Sequence, residues 1–228
     1  MIAERWRIGI DFDNTIIGYD AAFLAAAKDR GLLDRDFSGT KQAIRDAVRC
    51  SPDGEVAWQQ LQGFVYGAGI DRAVVIAGVD AFLDCCKAAG HVVYIVSHKT
   101  EFGHFDPLRV NLRTAALNFM RRHGFFDATG HGIPVGQVHF EATRAAKLAR
   151  IATLGCTHFI DDLEEVLGDP DFPAGVERIL LGEATGGQNL PYAAFPTWQA
   201  IEHALLDASI CPTVQARFEA GCGPGASD

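Results

Sequence analysis

The chain has 228 residues, 48% of them hydrophobic, which suits one domain of ordinary size or a core with a small insert. Its formal net charge of −9 and pI near 5.3 argue against a nucleic-acid or anionic-membrane surface. No stretch approaches the roughly 20 apolar residues of a membrane span, and the start, MIAERWRIG, has no apolar signal-peptide core. A cytoplasmic protein is therefore expected. Its six cysteines, without a C-x-x-C pair, are expected to be reduced thiols.

The first β-prone run, at 8–12, is IGIDF. After it comes a segment of about sixty residues with no strand pattern, in which 20–30, 40–49 and 55–66 have helical spacing. Gly31, Gly39 and the turn Ser51-Pro52-Asp53-Gly54 separate them. A helix is predicted at 79–89, then a strand at 91–96 (HVVYIV), a helix at 108–123 and a strand at 137–140. A helix at 141–154, strands at 157–160 and 177–181, and a helix at 197–208 complete the pattern. Alternating strands and helices imply an α/β, Rossmann-like parallel sheet with helices on both faces. The helical segment reads as a small cap insert at 18–74, with 1–17 and 75–210 as the core. The last stretch, 211–228, reads as a flexible tail because GCGPGASD has little to pack.

Asp11 and Asp13 close the first strand, and residues at i and i+2 of a strand face the same side. Asp161 and Asp162 close the strand THFIDD in the same way. In open α/β sheets the carboxyl edge is where ligands bind. Four carboxylates meeting there would repel one another strongly unless a hard cation joined them, and Mg²⁺ suits such a site. Ser97, directly after the second strand in YIVSHKT, has a hydroxyl able to hold a phosphate oxygen. Lys147, between Arg144 and Arg150, is placed to reach the same anion, with Lys99 as a rival. His98, His104 and His123 lack the tight spacing of a transition-metal site.

DFDNT, the Val96-Ser97 step, Lys147 and FIDD, in that order, resemble the four motifs of the haloacid dehalogenase superfamily, its phosphatase branch in particular. The resemblance implies that Asp11 is the nucleophile and forms an aspartyl-phosphate, and that Asp13 is the general acid and then the base. It implies a phosphate-binding set of Thr15, Ser97, His98 and Lys147, with Thr15 orienting the first-motif loop. It implies Mg²⁺ held by Asp11, Asp161, Asp162 and the Asp13 backbone carbonyl. Asn14 departs from the glycine that many members carry. Halide departs without a proton, so Asp13 favours phosphate over halide chemistry. The expected activity is phosphomonoester hydrolysis on a small phosphometabolite, a sugar phosphate or nucleoside monophosphate. Neither nucleic acid nor membrane is expected as a partner, and oligomeric state is left open. A phosphomutase and a non-catalytic binding module on this fold stand as alternatives. Arg45, Arg49, Trp58, Gln59, Gln62 and Tyr66 are candidate substrate contacts in the insert.

Overall fold

The structure, a computed structural model, describes residues 5–187 and 189–206; the expected tail at 211–228 lies outside them. Six parallel strands form the main sheet: β1 (Arg7–Ile10), β4 (Val92–His98), β5 (Val138–Glu141), β6 (His158–Asp161), β7 (Glu177–Leu181) and β8 (Ala193–Phe195). Their order is β5-β4-β1-β6-β7-β8. The chain fills one side of β1 and then returns to fill the other. The sheet therefore reverses direction at β1, the place where α/β sheets bind ligands.

Period-2 alternation gives each strand two apolar faces. Ile8, Ile10, Val93, Ile95, Ile160 and Ile179 pack with residues of α4 (Val79–Ala88), α5 (Leu112–Arg122) and α8 (Trp198–Leu205). Val96, Phe159 and Leu180 face the other way, against α6 (Arg144–Leu154) and α7 (Glu164–Leu167). Alternation puts position 9 on that second face, where Phe159 leaves no room for a side chain. A Cβ on Gly9 would come within 2.5 Å of the Phe159 ring.

A two-stranded antiparallel ribbon, β2 (Ile17–Gly18) with β3 (Val74–Val75), marks where the helical insert leaves and rejoins the sheet domain. Between them lie α1 (Asp20–Asp29), α2 (Lys41–Arg49) and α3 (Gly54–Tyr66). The insert rests on the loop after β4 at two side-chain-free positions: a Cβ on Gly103 would sit 2.6 Å from the Gly63 Cα. No helix among the described residues is long and apolar enough to cross a membrane.

Several boundaries differ from expectation. The ladder of β1 ends at Ile10 instead of residue 12. The helix expected from 108 begins at Leu112, because Asp106 accepts from the Leu108 and Val110 backbone N–H groups and Asn111 caps the helix. The helix expected from 141 begins at Arg144, capped by Thr143, while Glu141 belongs to β5. Neither β8, with two of its three residues exposed, nor the four-residue α7 was expected. Cys50, Cys86 and Cys156 are free thiols, but Cys85 is disulfide-bonded, against the expectation of reduced cysteines.

Candidate active site

With β1 between β4 and β6, the residues that end these three strands become neighbours. The Asp11 backbone N–H donates to the Ile160 carbonyl at 2.9 Å, which sets Asp11 level with the start of the Asp161-Asp162 pair. Just past Asp11 the chain turns sharply, with the Ile16 and Ile17 N–H groups both donating to the Phe12 carbonyl. Asn14 takes φ +59° in this turn. Asparagine tolerates that left-handed geometry better than most side chains, which explains how it can stand where glycine is common.

Asp11, Asp161 and Asp162 each present an oxygen, all within 4.8 Å of one another. Lys147 reaches Asp11 Oδ1 and Asp161 Oδ2, both at 2.6 Å, and is itself buried. It lies in the first turn of α6 because that helix starts at Arg144. Lys99, the rival, goes elsewhere: its ammonium pairs with Asp13 at 2.7 Å.

Burial raises Asp11 to about 7, since one lysine shared by two carboxylates does not offset desolvation and the neighbouring Asp161 and Asp13. Burial likewise raises Asp162 to about 6, with Asp11 adding to it. It raises Asp161 as well, against the pull of Lys147. For Lys147 burial acts against the ammonium, but Asp11 and Asp161 outweigh it and the net shift is upward. These oxygen donors, short of positive charge, fit a hard divalent cation. Among the described residues they are the group able to hold one.

The proton and metal compete, which gives a first expected result. Asp11 and Asp162 bind protons more readily folded than unfolded, so the metal-free protein loses stability as pH rises from about 4 to about 7. A divalent cation bound by these oxygens would displace those protons. Its stabilisation should thus grow over the same interval, reaching about 2.7 kcal/mol at a hundredfold excess over Kd. Thermal melts with Mg²⁺ and with chelator at pH 5, 6, 7 and 8 measure it. An increment that is flat or shrinks with pH would contradict the site.

A cavity of about 390 Å³ opens beside the cluster, lined by Asp11, Asp13, Ser97, His98, Lys147 and Asp162 among others. The Ser97 hydroxyl is buried and has no hydrogen-bond partner among the described residues. A buried hydroxyl left unpaired costs about 1–3 kcal/mol, so it is set up for a ligand oxygen. His98 is exposed at the rim, with Nε2 3.0 Å from the Ala142 carbonyl. Thr15 is fully buried and does not line this cavity. Its hydroxyl donates to Asp162 and its carbonyl accepts from Trp198 Nε1. It steadies one carboxylate and the turn.

Asp13 stands apart from the three-carboxylate group. The Tyr19 hydroxyl donates to it at 2.6 Å and Lys99 pairs with it, so its direction is fixed from two sides. Burial first, and Asp13 second, raise the Tyr19 phenol, which keeps its proton for this bond. Sequence reading missed Tyr19: a tyrosine six residues beyond Asp13 carries no spacing signal. It also missed Arg144 and Glu165, which line the cavity from α6 and α7.

Solved structures share this fold. A haloacid dehalogenase-like family hydrolase from Xanthomonas campestris has a TM-score of 0.54 at 14% sequence identity, over 93% of this chain and 98% of that one. A hydrolase of the same superfamily, subfamily IA, from Geobacter sulfurreducens gives 0.53 at 14%, over 88% and 96%. Protein Tyrosine Kinase A of Mycobacterium tuberculosis gives 0.58 at 14%, over 89% and 99%. No protein-family model and no curated protein matches the sequence. The chain has the haloacid dehalogenase-like hydrolase fold.

Proposed function

We propose that the chain is a phosphatase of the haloacid dehalogenase superfamily, hydrolysing small phosphomonoesters with Mg²⁺ through an aspartyl-phosphate on Asp11. The observation that carries this reading is the cluster of Asp11, Lys147 and Asp161 beside the unpartnered Ser97 hydroxyl, at one end of a ligand-sized cavity. In the same reading 18–74 is the cap, 1–17 and 75–210 are the core, and β2 with β3 is the hinge.

Asp11 would attack phosphorus, while Ser97 and Lys147 hold the equatorial oxygens. Lys147 would move one of its bonds from Asp161 to the phosphoryl group. Asp11, Asp161 and Asp162, with the Asp13 backbone carbonyl, would hold Mg²⁺, which supplies charge neutralisation between phosphate and carboxylate. Asp13, aimed by Tyr19 and Lys99, would protonate the leaving alkoxide and then deprotonate the attacking water. His98 would contact the phosphate from the rim. The leaving group is a sugar or nucleoside in this account, and the cavity volume suits either.

Release of inorganic phosphate from a panel of phosphometabolites tests the reading. Turnover is expected with Mg²⁺ and absent in excess chelator; full activity in chelator would rule out the metal assignment. A phosphomutase would leave free phosphate at background while isomerising its substrate.

Asp13→Asn gives a sharper check. It keeps size and backbone carbonyl, so Mg²⁺ binding should survive, but proton transfer worth roughly 10²–10⁴-fold is lost. In a burst experiment the loss should be larger for a sugar phosphate than for an aryl phosphate, whose phenolate departs without a proton. Equal losses in the burst, or none, would remove Asp13 from the proton-transfer role.

A further inference from the structure

A second cavity, about 400 Å³, lies in the insert and is lined by Lys41, Gln42, Arg45, Arg49, Trp58 and Gln62. Its lining contains three cations and no acid. Arg45 is paired with Asp46 and Arg49 with Glu55, both at the exposed surface. Lys41 differs. It makes no ion pair among the described residues, and its ammonium rests 2.7 Å from the Tyr66 hydroxyl and about 5 Å above the Phe23 and Tyr66 rings. One neutral acceptor leaves the ammonium donors under-used in a partly desolvated place, an arrangement that an anion would relieve.

Lys41 is joined to the catalytic wall through direct contacts. The Tyr66 ring stands edge-on to Tyr19 at 4.8 Å, and Tyr19 holds Asp13. The Lys99 ammonium lies 5.1 Å from the same Tyr66 ring and pairs with Asp13. Burial lowers Lys41, while Asp13, Asp162 and Asp20 pull it back, so it lies within the field of the site. Asp13, as general acid, marks where the leaving group departs.

We propose that this cavity binds a second anionic group, a carboxylate or a second phosphate, on the leaving portion of the substrate, with Lys41 as its charged contact and Arg45 and Gln62 beside it. The inference rests on the phosphatase reading for its placement. The substrate class is then a phosphomonoester whose alcohol half is itself an anion, in place of a neutral sugar phosphate.

The test uses paired compounds. Calorimetry in Mg²⁺ would compare a 4-carboxybenzyl phosphonate with its neutral 4-carbamoyl analogue. Turnover would compare 4-carboxyphenyl phosphate with 4-carbamoylphenyl phosphate, and a sugar bisphosphate with the sugar monophosphate. The anionic member should bind, and turn over by kcat/KM, at least about tenfold better, the worth of one charge-assisted hydrogen bond. Lys41→Met keeps the packing on Phe23 and Tyr66, and should bring each ratio close to one; Lys41→Arg should keep most of it. Whichever pair shows the preference identifies carboxylate or phosphate. Ratios near one in the wild type, or ratios that Lys41→Met does not change, overturn the inference while leaving the phosphatase reading intact. Absence of turnover with a calorimetric preference that Lys41→Met removes upholds the anion site and sinks the phosphatase reading instead.

Discussion

Asp11→Asn is expected to abolish turnover and, without metal, to make the protein more stable. A carboxamide is a poor nucleophile, and losing the group proposed to form the covalent bond should cost on the order of 10⁴-fold or more. The stability effect follows from burial. Asp11 is raised to about 7, so at pH 8 its charge opposes folding, at about 1.4 kcal/mol for each unit of displacement. Replacing it with a neutral isostere removes that opposition and leaves Lys147 paired with Asp161 alone. The gain at pH 8 in chelator should be on the order of 1–4 kcal/mol, should be clearly smaller at pH 5, and should disappear only near pH 4, where Asp11 is protonated in the folded and unfolded chain alike. On the proposed metal assignment Mg²⁺ should reverse the order, because the wild type offers it one more carboxylate. Melts of both proteins at these pH values, with and without Mg²⁺, show this directly. A variant less stable than wild type in chelator at pH 8, or one that keeps more than a few per cent of activity, contradicts the assignment.

Lys147→Met is expected to have the largest effect on the fold. The ammonium is the cation in contact with both Asp11 and Asp161, and all three side chains are buried. Removing one partner of a buried ion network leaves uncompensated charge, at a cost of about 3–5 kcal/mol. In a chain of this size that corresponds to roughly 6–20 °C in Tm. The loss should be greatest above pH 7 and smaller near pH 5, since protonating the two carboxylates removes what the lysine was balancing. Mg²⁺ should recover part of it. On the phosphatase reading turnover should fall by about 10²-fold or more even in saturating Mg²⁺, because the phosphoryl oxygens would lose a charged donor. Should the variant melt within 2 °C of wild type in chelator at pH 8, Lys147 does not hold this cluster together. Asp11→Asn combined with Lys147→Met should be milder than the sum of the two changes, because the residues share one network.

Much of this site is readable from the chain alone. Asp11, Asp161 and Ser97 each follow a β-prone apolar run directly, and placement by strand ends survives errors of a residue or two in where a strand stops. That is why the meeting of Asp11 and Asp161 at one sheet edge was expected correctly although β1 is shorter than expected. The alternation of apolar residues was also enough for a parallel sheet with two covered faces, since each face needs its own stripe of Ile, Val and Phe. The insert's three helices showed in their spacing, but the two-residue strands that carry them did not. Pairs of that length leave no period to read. β8 was missed for a related reason: Ala193-Ala194-Phe195 is a short edge strand, and its partner Leu181, not its own pattern, makes it a strand.

What the sequence by itself determined is therefore which side chains stand at which strand ends, and that their charges call for balancing positive charge. Tertiary structure alone decided how those charges are shared. Read as letters, Lys147 in its predicted helix and Lys99 after the second strand are rival candidates for one anion contact. The strand order β4-β1-β6, and a helix that starts at Arg144 instead of 141, send Lys147 to Asp11 and Asp161 and leave Lys99 to Asp13. Tyr19 on Asp13 and Lys41 under Tyr66 are contacts across the fold, between residues 6 and 25 positions apart. Nothing in a local period encodes them, because each depends on where the insert's helices come to rest against the turn after β1. Electrostatic pairing falls off with distance and with access to water, and both of those are properties of the packed molecule and not of the order of its residues.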